Sequence, residues 1–247
     1  MKRKHFGLLL VCLFGAAALA SIRAEGAEKR VKGSGVAETD PRPVSDVRQV
    51  SVHGIGTLTV EIGTTESLTI EADDNILPYI QVKQNGAAWE IGPTRDASLE
   101  PQTPIHYRLR VTRLDALTLS GATKAELKPL PHVAEFDLSL SGATSAQFAE
   151  IDADTLKVNA SGASRVEINA GSVKQQTIHL SGASRYRAFA LRSETASIHG
   201  SGTSNVEITA TRELNVDASG VTQVHYKGAP PVVKSDTSGV SSVKAAR

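Results

Sequence analysis

The sequence has few aromatic residues and almost no sulfur. Aromatic residues make up 4% of the 247 residues, and there is one cysteine, one methionine and one tryptophan. A core must therefore come from valine, isoleucine, leucine and alanine, which suit regular β-ladders better than a globular centre with large anchors. The only cysteine, Cys12, lies in an N-terminal apolar run. Beyond that run the chain has no disulfide and no thiol chemistry.

The N-terminal run predicts export. Lys2, Arg3 and Lys4 form a positive segment, residues 6–20 are apolar, and the run ends in Ala-Leu-Ala. The alternative is a membrane anchor, but the run has about fifteen residues and a spanning helix needs about twenty. We therefore predict a signal peptide over residues 1–20 and a periplasmic or extracellular protein. No later stretch is apolar enough to span a membrane.

The charges are nearly balanced. The chain has 27 Lys and Arg against 26 Asp and Glu, and removal of residues 1–20 takes three basic residues away, leaving 24 − 26 = −2. A nucleic-acid-binding protein or a protein of anionic membrane surfaces would have a strong positive excess. The balance therefore argues against both kinds of partner.

The C-terminal half contains a repeat. Between residues 120 and 239 Ser-Gly occurs seven times, and successive copies are 18 to 21 residues apart. Self-similarity at a fixed period is the mark of a repeat architecture. Glycine suits a fixed corner because it adopts positive φ without a Cβ clash. The corner glycines are Gly121, Gly142, Gly162, Gly182, Gly202, Gly220 and Gly239.

Apolar and polar residues alternate on both sides of each corner. In the third copy, for example, Val158 lies three residues before Ser161 and Val166 lies five residues after it. Period two around a fixed glycine predicts strand, corner, strand. The fold class predicted is all-β: a right-handed parallel β-helix with about twenty residues per coil, in which the Ser-Gly units stack. Two or three strands per coil remain open.

The repeat also sets the predicted domain organisation. Residues 21–44 are charged and contain Gly and Pro, which predicts a flexible linker. Residues 45–247 form one β-helix domain, with regular repeats over 111–247. Residues 45–110 alternate less regularly, with a predicted hairpin at Asn85-Gly86, and are expected to form irregular first coils or a cap.

Residues 48–247 resemble the bacterial GIN-domain family, described as putative auto-transporter adhesin heads of unknown function. The resemblance lies in Val52-His53-Gly54-Ile55-Gly56, in Leu58–Gly63, in the acidic segment Glu71–Leu77, and in the Ser-Gly-Ala-Thr/Ser units. It implies a β-helical, secreted or envelope-associated domain without catalytic activity.

Stacking would turn sequence spacing into distance, so equivalent positions form columns. Two residues before each Ser, one column contains His179, His199 and Asp217 in series. These residue types are metal ligands, so the column is a candidate metal site. The alternative, which we favour, is a solvated face on which polar residues stack. No metal or other cofactor is therefore predicted.

The repeat also places arginines and hydroxyl groups in columns. Arg165, Arg185 and Arg187 could bind the acidic groups of a sugar, although a lattice of neighbouring opposite charges explains their positions more simply. Tyr186 is expected to point inward. A hydroxyl three residues after each Ser predicts a ladder that hydrogen-bonds to itself and to nearby backbone.

The sequence contains no Gly-x-Ser-x-Gly, His-Glu-x-x-His or phosphate-binding glycine loop. We therefore predict a non-catalytic module for adhesion, binding or scaffolding at a surface or envelope, with a glycan or envelope component as partner. The alternative is a polysaccharide lyase or hydrolase on a β-helix. The last coil, around Val240 and Val243, has no evident cap, so its edge could pair with another chain.

Overall fold

The computed structural model describes residues 29–246. The predicted signal peptide lies outside these residues. Their secondary structure is almost entirely β-strand, with one short 3₁₀ helix at Leu77–Tyr79. Within residues 29–246 no helix has the length and apolar character required to cross a membrane.

The strands are short in the N-terminal part and longer in the repeats. They are β1 (Lys29–Lys32), β2 (Ala37–Arg42), β3 (Gln49–Val52), β4 (Ile55–Ile62), β5 (Ser67–Asp73), β6 (Ile80–Asn85), β7 (Ala88–Pro93), β8 (Ala97–Glu100), β9 (His106–Val111), β10 (Ala116–Leu119), β11 (Ala122–Leu127), β12 (Leu130–Leu140), β13 (Ser145–Phe148), β14 (Ile151–Ala160), β15 (Arg165–Ile168), β16 (Gly171–Leu180), β17 (Arg185–Gly200), β18 (Asn205–Ala218), β19 (Gln223–Lys227), β20 (Val232–Thr237) and β21 (Ser242–Ala245).

The repeats form a β-solenoid, as predicted. Between residues 116 and 245 each strand pairs in parallel with the equivalent strand of the next coil, about twenty residues further along the chain. In the middle of the stack, Val158 pairs with Ile178, which pairs with Ile198, which pairs with Val216. The side chains of this apolar column are buried.

The middle coils, such as those that begin at Ser145 and Arg165, each have three paired stretches. In the coil that begins at Ser145, the first stretch is β13, and β14 supplies the other two because its pairing is interrupted at Asp154. The same interruption recurs one coil later at Lys174. A bend in the second strand therefore turns the chain a second time in each coil.

The predicted corner glycines all have φ between +70° and +84°. They also lie against one another: a Cβ on Gly182 would be 2.6 Å from the carbonyl oxygen of Gly162. The amide of Ala183 donates a 2.8 Å hydrogen bond to that same oxygen. Positive φ and the close approach of the next coil both require glycine here.

The first layers do not follow chain order. β3 pairs with β10 on one side and with β7 on the other, and β4 lies in the same way between β11 and β9. Residues 63–115 thus fold back beneath the first coil. The hairpin predicted at Asn85-Gly86 is present as the antiparallel pair β6–β7. β5 pairs antiparallel with β9, so antiparallel strands cover this end of the stack.

The flexible linker predicted over residues 21–44 is wrong for its described part. β1 pairs with β8, and β2 pairs antiparallel with β5. The buried carboxylate of Asp73 holds the connection between them, because it accepts hydrogen bonds from the amides of Gly35 (2.8 Å), Gln102 (2.9 Å) and Thr103 (3.2 Å). Burial alone would raise the pKa of Asp73, but these three bonds outweigh it and lower the pKa.

One continuous apolar core runs from Val31 to Val224. Aliphatic columns form most of it, and the ring centroids of Phe136 and Phe148 meet edge to face at 5.6 Å. Tyr186 points inward, as expected, and its hydroxyl donates a 2.6 Å hydrogen bond to Gln176 Oε1.

The last coil consists of β20 and β21, and every residue of β20 is exposed. No strand among residues 29–246 pairs with the outer edges of β20 and β21. Self-association through this edge stays a prediction.

Candidate binding grooves

The stacked Ser-Gly corners form a ridge along the solenoid, with a groove on each side. We call the groove before the ridge the corner groove; it has a volume of about 600 Å³. We call the groove after it the arginine groove; it has a volume of about 550 Å³. Both follow the stack, because successive coils contribute equivalent residues to each.

The inner hydroxyls beneath the ridge are structural. Three residues after each corner serine, the side chains of Thr123, Thr144, Ser164, Ser184, Ser204 and Thr222 are buried. Ser164 donates a 2.6 Å hydrogen bond to the carbonyl of Ser161, and Ser184 donates one of 2.8 Å to Ser181. These hydroxyls satisfy the backbone of the turn and are not available to a ligand.

The corner groove is lined by the column two residues before each serine. This column runs Thr118, Ser139, Asn159, His179, His199 and Asp217. The groove reaches down to apolar residues, among them Leu119, Leu140 and Leu180. It therefore offers hydroxyl, amide, imidazole and carboxylate groups in a line above an apolar floor.

The candidate column His179, His199 and Asp217 lies in register, as the spacing implied. The two imidazole rings stack with centroids 4.8 Å apart and planes 11° apart. His199 Nδ1 lies 3.7 Å from Asp217 Oδ2, and both side chains are largely exposed, at 47% and 71%.

The geometry does not gather the three side chains at one point. A zinc ion holds its ligand atoms at about 2 Å, so they lie within about 4 Å of one another. His179 and Asp217 are two coils apart, or about 10 Å along the stack. No group of three or more His, Cys, Asp or Glu side chains in residues 29–246 stands close enough to hold a metal ion. The solvated polar face, which we favoured for this column, stays our prediction.

Ser197, His199 and Asp217 have the order of a Ser-His-acid relay, but not its environment. Ser197 Oγ lies 3.4 Å from His199 Nε2. In such a relay the acid is buried and backbone amides stand ready for an oxyanion. Here the acid is exposed. The three residues lie on β17 and β18, and these strands use their backbone amides to pair within the sheet.

The arginine groove brings together two of the three predicted arginines. Arg165 and Arg185 are direct neighbours on β15 and β17, and both line the groove. Ser145, Asn205 and Gln223 occupy the equivalent positions of other coils. Arg187 does not line the groove; it lies in register between Glu167 and Glu207.

The sequence repeat missed the first member of the ridge. A Cβ on Gly121 would lie 2.4 Å from the carbonyl oxygen of Gly54, so His53-Gly54 stands one coil before Ser120-Gly121. The signal was present in Val50 and Leu58, the apolar residues three before and five after His53. Only the serine is missing, because histidine takes its place.

Solved structures with a similar fold come from species of Bacteroides and Parabacteroides. A protein of Bacteroides fragilis described as a putative adhesin has a TM-score of 0.83 and 18% identity, over 87% of this chain and 100% of its own. A putative lipid binding protein of Parabacteroides distasonis has a TM-score of 0.70 and 20% identity, over 89% and 100%. A putative adhesin of Parabacteroides merdae has a TM-score of 0.67 and 18% identity, over 88% and 99%. At these identities the likeness concerns the fold.

No curated protein matches the chain at the level of sequence. A family model does match, over residues 46–230, and its description is "Putative auto-transporter adhesin, head GIN domain". The match includes the first coils, the fold-back layer and most of the Ser-Gly ridge. The chain therefore belongs to the GIN-domain family.

Proposed function

We propose that the protein is an exported, non-catalytic module that binds an extended chain, such as a glycan of a cell surface or envelope, along the corner groove. The observation that carries the proposal is the shape and lining of this groove. It follows successive coils and repeats one kind of polar position at each strand spacing, about 4.8 Å. A long ligand can make an equivalent contact at every coil, whereas a small substrate would need convergent groups at one point.

The lining suits a carbohydrate. Thr118, Ser139 and Asn159 offer groups that both donate and accept hydrogen bonds, as sugar hydroxyls do. The stacked imidazoles of His179 and His199 add two flat rings to the groove. Export is supported by the predicted signal at residues 1–20, and N-terminal sequencing of the protein from periplasm or medium should then begin at Ser21.

The enzyme alternative has less support. A lyase or hydrolase needs clustered carboxylates, or a carboxylate with a metal and an arginine, in a cleft. In the corner groove Asp217 is the only carboxylate among the lining residues. Release of unsaturated or reducing-end sugars from any of a panel of polysaccharides would replace our proposal with this one.

The test is binding of the purified protein to a glycan array and to bacterial surfaces, with two matched variants. His179→Ala removes an imidazole from the corner groove, and His132→Ala removes an exposed one from another face. We expect saturable binding that falls at least tenfold in His179→Ala and is unchanged in His132→Ala. Absence of saturable binding, or equal losses in the two variants, would overturn the proposal.

A further inference from the structure

The solenoid pairs opposite charges across neighbouring coils. Lys174 contacts Asp154 at 2.6 Å, Lys157 contacts Glu135 at 2.7 Å, and Arg212 contacts Glu194 at 2.8 Å. Lys234 and Glu213 follow the same rule at 3.2 Å. Stacking brings side chains of neighbouring coils within reach of one another, directly opposite or diagonally, so opposite signs add a modest attraction.

Arg165 and Arg185 break this rule. They lie directly opposite each other on parallel strands, and both side chains are exposed. Within residues 29–246 neither forms an ion pair with a carboxylate. Like charges that face each other across a sheet are destabilising. Asp217 and Asp236 also face each other across neighbouring coils, and a like-charge pair that lowers stability is expected where a site serves function.

We propose that Arg165 and Arg185 form an anion-binding site in the arginine groove, and that its ligand is an acidic polysaccharide. Each guanidinium can hold a carboxylate or a sulfate through two parallel hydrogen bonds. With two of them about 4.8 Å apart along the stack, the groove can hold one anionic group between them or two in succession. A bound anion would also remove the repulsion between the arginines.

The neighbours of the pair favour a polysaccharide over other polyanions. Ser145, Asn205 and Gln223 continue the column on both sides with uncharged hydrogen-bonding groups, which suit sugar hydroxyls. Nucleic acid would need positive charge along its whole path, and Arg165 and Arg185 are the two charged residues that line the groove. An anionic membrane is a broad surface that attracts basic clusters, whereas these arginines line a groove.

The site is separate from the corner groove, so it does not rest on the function proposed above. The test compares binding of polygalacturonate, dextran sulfate, neutral dextran and single-stranded oligo-dT to the full protein by calorimetry at two salt concentrations. The variant is the double replacement Arg165→Gln with Arg185→Gln. The control is Arg95→Gln with Arg192→Gln, which removes two other exposed arginines for which residues 29–246 supply no ion pair.

We expect the wild type to bind at least one acidic polysaccharide, and its affinity to fall at least tenfold in the test variant and less than twofold in the control. Preference for polygalacturonate would assign a carboxylate ligand, and preference for dextran sulfate would assign a sulfate. Replacement of both arginines by lysine should give an intermediate affinity, because charge remains and the planar fork is lost. The melting temperature of the glutamine variant should stay the same or rise, since the repulsion is gone.

Several results would overturn the proposal. They are the absence of wild-type binding to either acidic polymer, equal losses in the test variant and the control, equal binding of neutral dextran, and tighter binding of oligo-dT than of both acidic polysaccharides. Equal losses would show an effect of net charge alone.

Discussion

Replacement of Gly182 by alanine tests whether close contact between coils holds the solenoid together. Gly182 has φ of +74°, and a Cβ placed on it would lie 2.6 Å from the carbonyl oxygen of Gly162. Gly86 is the matched control: its φ is +61°, and nothing lies within 4 Å of the position that a Cβ would take. Both variants place alanine in the left-handed region, but only one meets the backbone of another coil.

The two costs can be estimated separately. Holding alanine at positive φ costs about 1–2 kcal/mol in either variant. The gain from a less flexible unfolded chain, about 0.4–1 kcal/mol, is also common to both and cancels in the comparison. A relaxed carbon–oxygen contact needs about 3.3 Å, so the coils at Gly182 must separate by several tenths of an ångström. This stretches the 2.8 Å bond from the amide of Ala183 to Gly162.

Loss of that hydrogen bond is worth about 1 kcal/mol, and the strain in the adjoining ladder adds to it. We therefore expect Gly182→Ala to lower the free energy of unfolding by about 2 kcal/mol more than Gly86→Ala does. Urea denaturation followed by far-ultraviolet circular dichroism measures the difference. If both variants unfold at the same urea concentration, close coil contact does not contribute to stability and the reasoning is wrong.

Two further predictions concern buried polar groups. The lowered pKa of Asp73 means that its contribution to stability is present above the unfolded pKa of about 3.9 and is lost as the pH falls through the folded value. Asp73→Asn should thus melt at a lower temperature than wild type at pH 7, and the difference between the two melting temperatures should close below about pH 4. A difference that stays constant with pH would contradict this prediction. Tyr186→Phe should cost about 1–3 kcal/mol, because it removes the hydrogen bond to Gln176 Oε1 in a buried amide whose Nε2 already has no hydrogen-bond partner within residues 29–246. Adding Gln176→Leu should restore part of this loss in a double-mutant cycle, and a strictly additive loss would count against the pairing.

The regular coils could be predicted because the same local requirement recurs in each. At Gly162 and Gly182 the backbone needs positive φ and the next coil lies against the α-carbon. Both requirements select glycine, and they recur at a fixed period. The corners can therefore be found from a single sequence. The inward side of Tyr186 followed from alternation alone.

The order of the first layers could not be predicted from the sequence. Val50 pairs with Trp89 on one side and with Leu117 on the other, and these pairings have no period in the chain. His53 hid the first corner, because histidine replaces the serine of the repeat.

The predicted linker failed for a physical reason. β2 has a polar composition and contains Pro41, which is typical of a flexible segment, but an edge strand tolerates both because one side remains free. The carboxylate of Asp73 then orders the preceding turn through contacts that are 38 residues apart in the chain at Gly35. Contacts of this kind leave no local pattern.

The grooves were only partly predictable. The columns of His179 and Arg165 followed from the period, but concavity depends on how each coil bends at positions such as Asp154. A sequence shows which residues are neighbours in a stack, and the turn angles that fold their column into a groove appear only in coordinates.

The fold-back of residues 63–115 gives the molecule a polarity that a plain repeat would lack. Antiparallel strands close one end, so an additional coil of the same kind can join the parallel ladder only at the opposite end or within it. Insertion of one twenty-residue unit after Ser201 would lengthen both grooves by a single strand spacing while the closed end kept its structure. Groove length in this architecture can therefore be adjusted in steps, without redesign of the residues that do the binding.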